Sequence, residues 1–158
     1  MINIYSFSIR CTVIFLIPFF FSCKSSVYDE TIVIEKGQWL IDNPITFSFI
    51  VDDTSKLYNI FLDVDHNSDY GYQNFYCLVE SYAPGGLAQQ QQNAVELATR
   101  KGKWKGNCNS ATCISHIPFI TKTKFDVPGP YKIIFTQFTR NNPLKGINSL
   151  RLTINEYI

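Results

Sequence analysis

Ile45-Thr46-Phe47-Ser48-Phe49-Ile50-Val51 and, a few residues on, Tyr58-Asn59-Ile60-Phe61-Leu62-Asp63-Val64-Asp65 decide the fold. In the first stretch Ile45, Phe47, Phe49 and Val51 alternate with Thr46 and Ser48. In the second, Tyr58, Ile60, Leu62 and Val64 alternate with Asn59, Asp63 and Asp65. Successive side chains of a strand point to opposite faces, so this period of two makes one face apolar and the other wet. Working outward, Asn74 to Tyr82, Cys113 to Ile120, Tyr131 to Phe138 and Ser149 to Tyr157 also read as strands by alternation, aromatic content or β-branching. Breakers separate them: Asp52-Asp53, Asn67-Ser68-Asp69, Pro84-Gly85-Gly86, Pro128-Gly129-Pro130 and Asn141-Asn142-Pro143. Gln89 to Arg100, with its four consecutive glutamines, breaks the pattern and is expected to be a long solvated loop. Six to eight antiparallel strands, each with one inward face, predict an all-β antiparallel β-sandwich, jelly-roll-like or Ig-like. Phe47, Phe49, Ile60, Leu62, Ile133 and Phe135 are then expected in its core.

The composition agrees and removes several classes of function. The chain has 158 residues, a length for one domain. Its 14 Lys+Arg and 13 Asp+Glu form no block of one sign, so no nucleic-acid footprint exists. Charged residues are 17% and aromatics 15%, which excludes a disordered chain and favours strands. No phosphate loop, metal-finger spacing or nucleophile elbow is present, so neither a cofactor nor a small-molecule substrate is expected.

Part of the apolar weight lies before the domain. Arg10 is followed by Cys11-Thr12-Val13-Ile14-Phe15-Leu16-Ile17-Pro18-Phe19-Phe20-Phe21 and then Ser22-Cys23. That run is shorter than the roughly 20 residues a spanning helix needs, and it fits the apolar core of a signal peptide. A cysteine directly after a small residue, as in a bacterial lipobox, makes Cys23 the expected lipidation site. The expected organisation is a lipoprotein signal peptide over 1–22, an anchor and tether over 23–36, and the β-sandwich over 37–158. Removing Arg10 leaves 13 charges of each sign, so attachment to the membrane falls to acyl chains, each CH₂ contributing about 0.8 kcal/mol.

The chemistry-bearing residues are few. Cys108 and Cys113 flank Asn109-Ser110-Ala111-Thr112, and a disulfide between them suits an exported protein, stabilising by about 2 kcal/mol. Zinc at Cys113 and His116 lacks a CxxC pair, and Cys77 reads as a small buried residue. Asp65, Asn67 and Asp69 match the first oxygens of an EF-hand loop, but Tyr70 and Tyr76 stand where its Gly and Glu belong, so no metal is expected. His66 and His116 are the only histidines, with no legible nucleophile partner.

Aromatic residues outside the strand pattern say more. Trp104 stands in Gly102-Lys103-Trp104-Lys105-Gly106, Tyr70 and Tyr72 in Asp69-Tyr70-Gly71-Tyr72-Gln73-Asn74, and Trp39 just before the first clear strand. Such rings cap the ends of a sandwich, or they stack on sugars and anchor partners. The same segments, with Gly129-Pro130-Tyr131, Gln137-Phe138-Thr139-Arg140 and Leu144-Lys145-Gly146-Ile147, resemble in order the GldH gliding-motility lipoproteins of Bacteroidota. Arg140 matches the Arg of that family's Met-Arg pair. The resemblance implies a non-catalytic envelope lipoprotein that supports gliding and the associated type IX secretion machinery, with other proteins of that machinery as partners. No acidic residue follows Cys23 in Lys24-Ser25-Ser26, which in lipoproteins of this phylum favours a periplasm-facing position. Trp104, Arg140, Tyr70, Tyr72 and Trp39 are then the expected partner-binding residues. The alternative is a carbohydrate-binding lipoprotein with Trp104, Tyr70 and Tyr72 as a stacking platform.

Overall fold

The computed structural model describes residues 26–158; the expected signal segment 1–22 and the expected lipidation site Cys23 lie outside them. The two deciding stretches form β3 (Ile45–Val51) and β4 (Tyr58–Asn67). The other long strands are β1 (Tyr28–Val33), β5 (Asn74–Ala83), β6 (Gly86–Glu96), β8 (Thr112–Thr123), β9 (Gly129–Gln137) and β11 (Ile147–Glu156). Three two-residue strands, β2 (Gln38–Trp39), β7 (Asn107–Cys108) and β10 (Leu144–Lys145), and a 3₁₀ turn at Glu35–Gly37 complete the described chain.

All pairings are antiparallel and nested. β1 pairs with β11, β3 with β9, β4 with β8, and β5 with β6, so the chain is one long hairpin with its tip at Pro84-Gly85. Rolling that hairpin up adds the β11–β4 and β9–β5 pairs and yields two sheets, β1-β11-β4-β8-β7 and β3-β9-β5-β6. This is the strand order of a jelly roll, and it settles the choice against the Ig-like arrangement.

The inward face of each sheet is the one its alternation predicts. Phe47, Phe49, Ile60, Leu62, Ile133 and Phe135 are all buried, and the Phe47 and Phe135 rings meet edge-on at 6.0 Å. Each such side chain stabilises the fold by about 1.5–3 kcal/mol on leaving water. Cys77 lies on the same face, and burial pushes its thiol up to about 12.

Two expectations fail. Gln89 to Arg100 is not a loop through most of its length, because Gly86–Glu96 is β6, an edge strand whose two faces are largely wet. Without a buried face it shows no apolar alternation, yet its backbone still pairs with β5. The segment 23–36 is not merely a tether, since Tyr28–Val33 forms β1 and Ile34 is buried. Tyr28 and Ile32 pack against the core from the edge of the five-stranded sheet, so the domain already includes β1.

Candidate functional site

The inward stripe of β4 runs Tyr58, Ile60, Leu62, Val64 and ends on His66, which is fully buried. His66 Nδ1 lies 2.8 Å from the Asn67 carbonyl oxygen. That oxygen can only accept, so Nδ1 carries the proton. The turn 102–106 brings a ring down onto this imidazole. Ala98 and Trp104 form a bridge, Lys105 N–H donates to the Leu97 carbonyl at 2.8 Å, and Gly102 closes the tip at φ +80°. A Cβ at Gly106 would lie 2.2 Å from the Ile114 carbonyl oxygen, so only glycine lets this turn pass so close to β8. Trp104, thus placed, sits 4.6 Å centroid to centroid from His66, and its Nε1–H donates to the Ser68 carbonyl at 3.1 Å.

The loop from Ser68 to Gln73 continues this stack outward. Tyr70 lies 5.8 Å from His66 and is only 6% exposed; burial raises the pKa of its phenol. Tyr72 meets Tyr70 edge-on at 5.6 Å and is 53% exposed. Its hydroxyl accepts a 2.9 Å bond from Asn141 Nδ2.

Asn141 belongs to the second loop of the site, which follows β9. Buried Gln137 shapes that loop: its Oε1 accepts from Thr139 N–H at 2.9 Å and Thr139 Oγ1 at 2.8 Å. Phe138 N–H donates to the Tyr76 carbonyl at 2.8 Å, which fastens the loop to β5. Between the two loops lies a groove of about 690 Å³ lined by Tyr70, Tyr72, Tyr76, Phe138, Arg140 and Leu144, among others. Tyr72, Tyr76 and Phe138 are half exposed at its rim. Arg140 is exposed and makes no ion pair among the described residues.

The structure therefore gathers the expected site residues but gives them different parts. Tyr70, Tyr72 and Arg140 surround one groove. Trp104 is half-buried and does not line the groove, since His66 and Tyr70 stand between them. Trp39 is a correction: it is 1% exposed, packs edge-on against Phe75 at 5.9 Å and donates from Nε1 to the Asn43 carbonyl at 3.1 Å. It supports the groove from the core, behind Phe75, and offers a partner almost no surface. Trp104, Tyr70 and Tyr72 share no exposed plane, since Tyr70 is buried and stands at 68° to Tyr72. Phe138, Tyr76 and Asn141 were not singled out from sequence, and neither was His66 as the base of the stack. For His66 the signal existed, because the period-two stripe of β4 reaches it when extended by one step.

The remaining chemical candidates sit apart. Cys108 and Cys113 are joined by a disulfide across the directly opposed residues of β7 and β8, so Cys113 is not a zinc ligand. Asp65 and Asn67 oxygens both accept from Asn148 Nδ2, at 3.3 and 3.0 Å, and among the described residues no group of three metal-ligating side chains occurs. His116 pairs with Asp63 on the outer face of the five-stranded sheet, while the neighbouring Ser115 points into the interior. A nucleophile and its base cannot meet across a sheet in this way.

Fold and groove together define a class: a single antiparallel jelly roll that presents exposed rings and the exposed Arg140 at one end. Within that class the chain belongs to the GldH lipoprotein family, whose model matches residues 26–154. It is 31% identical over 139 residues to the gliding motility lipoprotein GldH homolog of Christiangramia forsetii, covering 87% of this chain and 85% of that protein. It is 28% identical over 132 residues to the gliding motility lipoprotein GldH of Flavobacterium johnsoniae, covering 82% and 81%. Among solved structures, an infectious bursal disease virus chain aligns at TM-score 0.31, with 16% identity over 84% of this chain and 34% of that one. Such a likeness is too slight to carry an argument.

Proposed function

We propose that this chain is a lipid-anchored component of the gliding-motility machinery, attached through Cys23, facing the periplasm and acting without catalysis. In this reading it assists the associated type IX secretion apparatus by holding a protein partner in the groove between the Tyr72 and Arg140 loops. Membership of a lipoprotein family brings association with the cell envelope, and both curated relatives are named for gliding motility. The observation that carries the docking role is the groove itself. Half-exposed Tyr72, Tyr76 and Phe138 and the unpaired Arg140 stand on a rigid, buried aromatic base. Tyr and Arg are the residue types that dominate protein interfaces, because they combine large contact area with directed hydrogen bonds.

The test is Tyr72→Ala combined with Arg140→Ala in the native lipoprotein. Arg140 is exposed and unpaired among the described residues, so its loss should be nearly neutral, whereas Tyr72 also meets Tyr70 and Asn141, so the double change should cost about 1–2 kcal/mol and leave the domain folded. Colony spreading and secretion should fall, and lipidation should persist. Loss of motility that merely tracks loss of folded protein would refute the docking role.

A further inference from the structure

β6 is an edge strand of 11 residues, and one side of its backbone faces no other strand among the described residues. An unpaired edge invites another strand, so proteins guard edges with charge, proline, a bulge or cover. The other edges of this jelly roll are guarded. β1 carries Asp29 and Glu30, and β8 begins under β7 and carries Pro118. β3 is covered at its edge by Tyr28, whose ring lies 5.5 Å from Phe49 and whose hydroxyl donates to the Glu30 carboxylate. β6 from Ala88 to Ala94 has neither charge nor proline.

That stretch also reads almost the same in both directions. About Gln91, Ala88 mirrors Ala94, Gln89 mirrors Asn93, and Gln90 mirrors Gln92. If two copies meet antiparallel with a two-fold axis at Gln91, every opposed pair joins like with like. A primary amide both donates and accepts, so amide opposite amide is satisfied in either copy, and no like charges oppose. Glu96, the only charge of the strand, lies outside this run and is already tied to Lys105. The pairing of β6 with β5 is unbroken from Gln89 to Glu96, which keeps the strand straight where it would be needed. A two-fold contact demands a surface complementary to itself, and a partner of unrelated sequence would gain nothing from the symmetry.

We propose that β6 is a homodimer interface, in which two copies pair antiparallel about Gln91 and join their four-stranded sheets into one. This rests on the membrane attachment proposed above: copies held on one membrane meet at high effective concentration, which favours a contact of this length.

The experiment uses the full lipidated chain in membranes. Gln91→Cys should cross-link to itself on mild oxidation and the wild type should not, because Cys77 is buried, Cys108 is bridged to Cys113 and Cys23 carries the lipid in the chain tested. Gln91→Lys and Gln91→Glu should each lose the dimer alone, with unchanged thermal stability. Co-expressed under different tags, the Lys and Glu variants should co-purify, because opposite charges then face each other across the axis. A dimer that survives Gln91→Lys, a failure of the mixed pair to associate, or cross-linking of the Gln91→Cys variant to a different protein would each overturn the proposal.

Discussion

Trp104 supports the Tyr70–Tyr72 wall of the groove indirectly, by two independent contacts. Its ring lies against His66, and its indole N–H fixes the Ser68 carbonyl at the start of the Tyr70–Tyr72 loop. The residue is therefore structural before it is functional, and Trp104→Ala should unfold the site rather than merely blunt a contact. The expected cost is about 3 kcal/mol, at the low end for losing a large core ring because the site is only half buried. Trp104→Phe keeps the ring and loses the hydrogen bond, costing about 1 kcal/mol. Chemical denaturation of both variants checks this order; equal costs would show that the indole N–H, not the ring, supports the loop. Sequence alone showed that Trp104 was set between glycines, but the direction of its ring depends on the approach of Gly106 to β8. That approach is a tertiary fact with no local signature.

At the scale of the element, β1 is held to β11 on the solvent side by Arg151, which bonds both carboxylate oxygens of Asp29. The bond to Arg151 lowers the Asp29 pKa below its ordinary value. A carboxylate depressed in the folded state contributes stability above its unfolded pKa, near 3.9, and that contribution fades as pH falls through the folded value. Melting temperature should thus drop more steeply below about pH 4 in the wild type than in Asp29→Asn. Parallel slopes would show that the pair is silent. The strands that were legible share one property with β3 and β4: a buried face that forces an alternating pattern. β1 and β6 escaped because edge position relieves that demand, leaving Asp29-Glu30-Thr31 and Gln89 to Gln92 free to be polar on both sides. The groove was half legible for a related reason. Its exposed rings stand out in the sequence as aromatic residues in loops, whereas burial of Trp39 and Tyr70 depends on which loops meet.

For the whole molecule, the Cys108–Cys113 bridge is a short staple, with a sequence separation of 5. Closing so small a loop removes little chain entropy, so the double change Cys108→Ser with Cys113→Ser should cost about 2 kcal/mol and leave the jelly roll folded. Calorimetry of the double variant checks this, and outright unfolding would mean that the β7–β8 corner organises more of the sheet than its position suggests. Nested pairing has a larger consequence, one of timing. Tyr28 in the first strand opposes Ile154 in the last, and β11 also separates β1 from β4. Contacts between such distant segments form late, because the intervening chain must first be brought together. During synthesis the tip hairpin of β5 and β6 has all its residues in hand early, whereas β1, made before it, stays without a partner until β11 emerges. The early segment that carries β1 is thus the last to close, and completion of the five-stranded sheet reports that β11 has arrived.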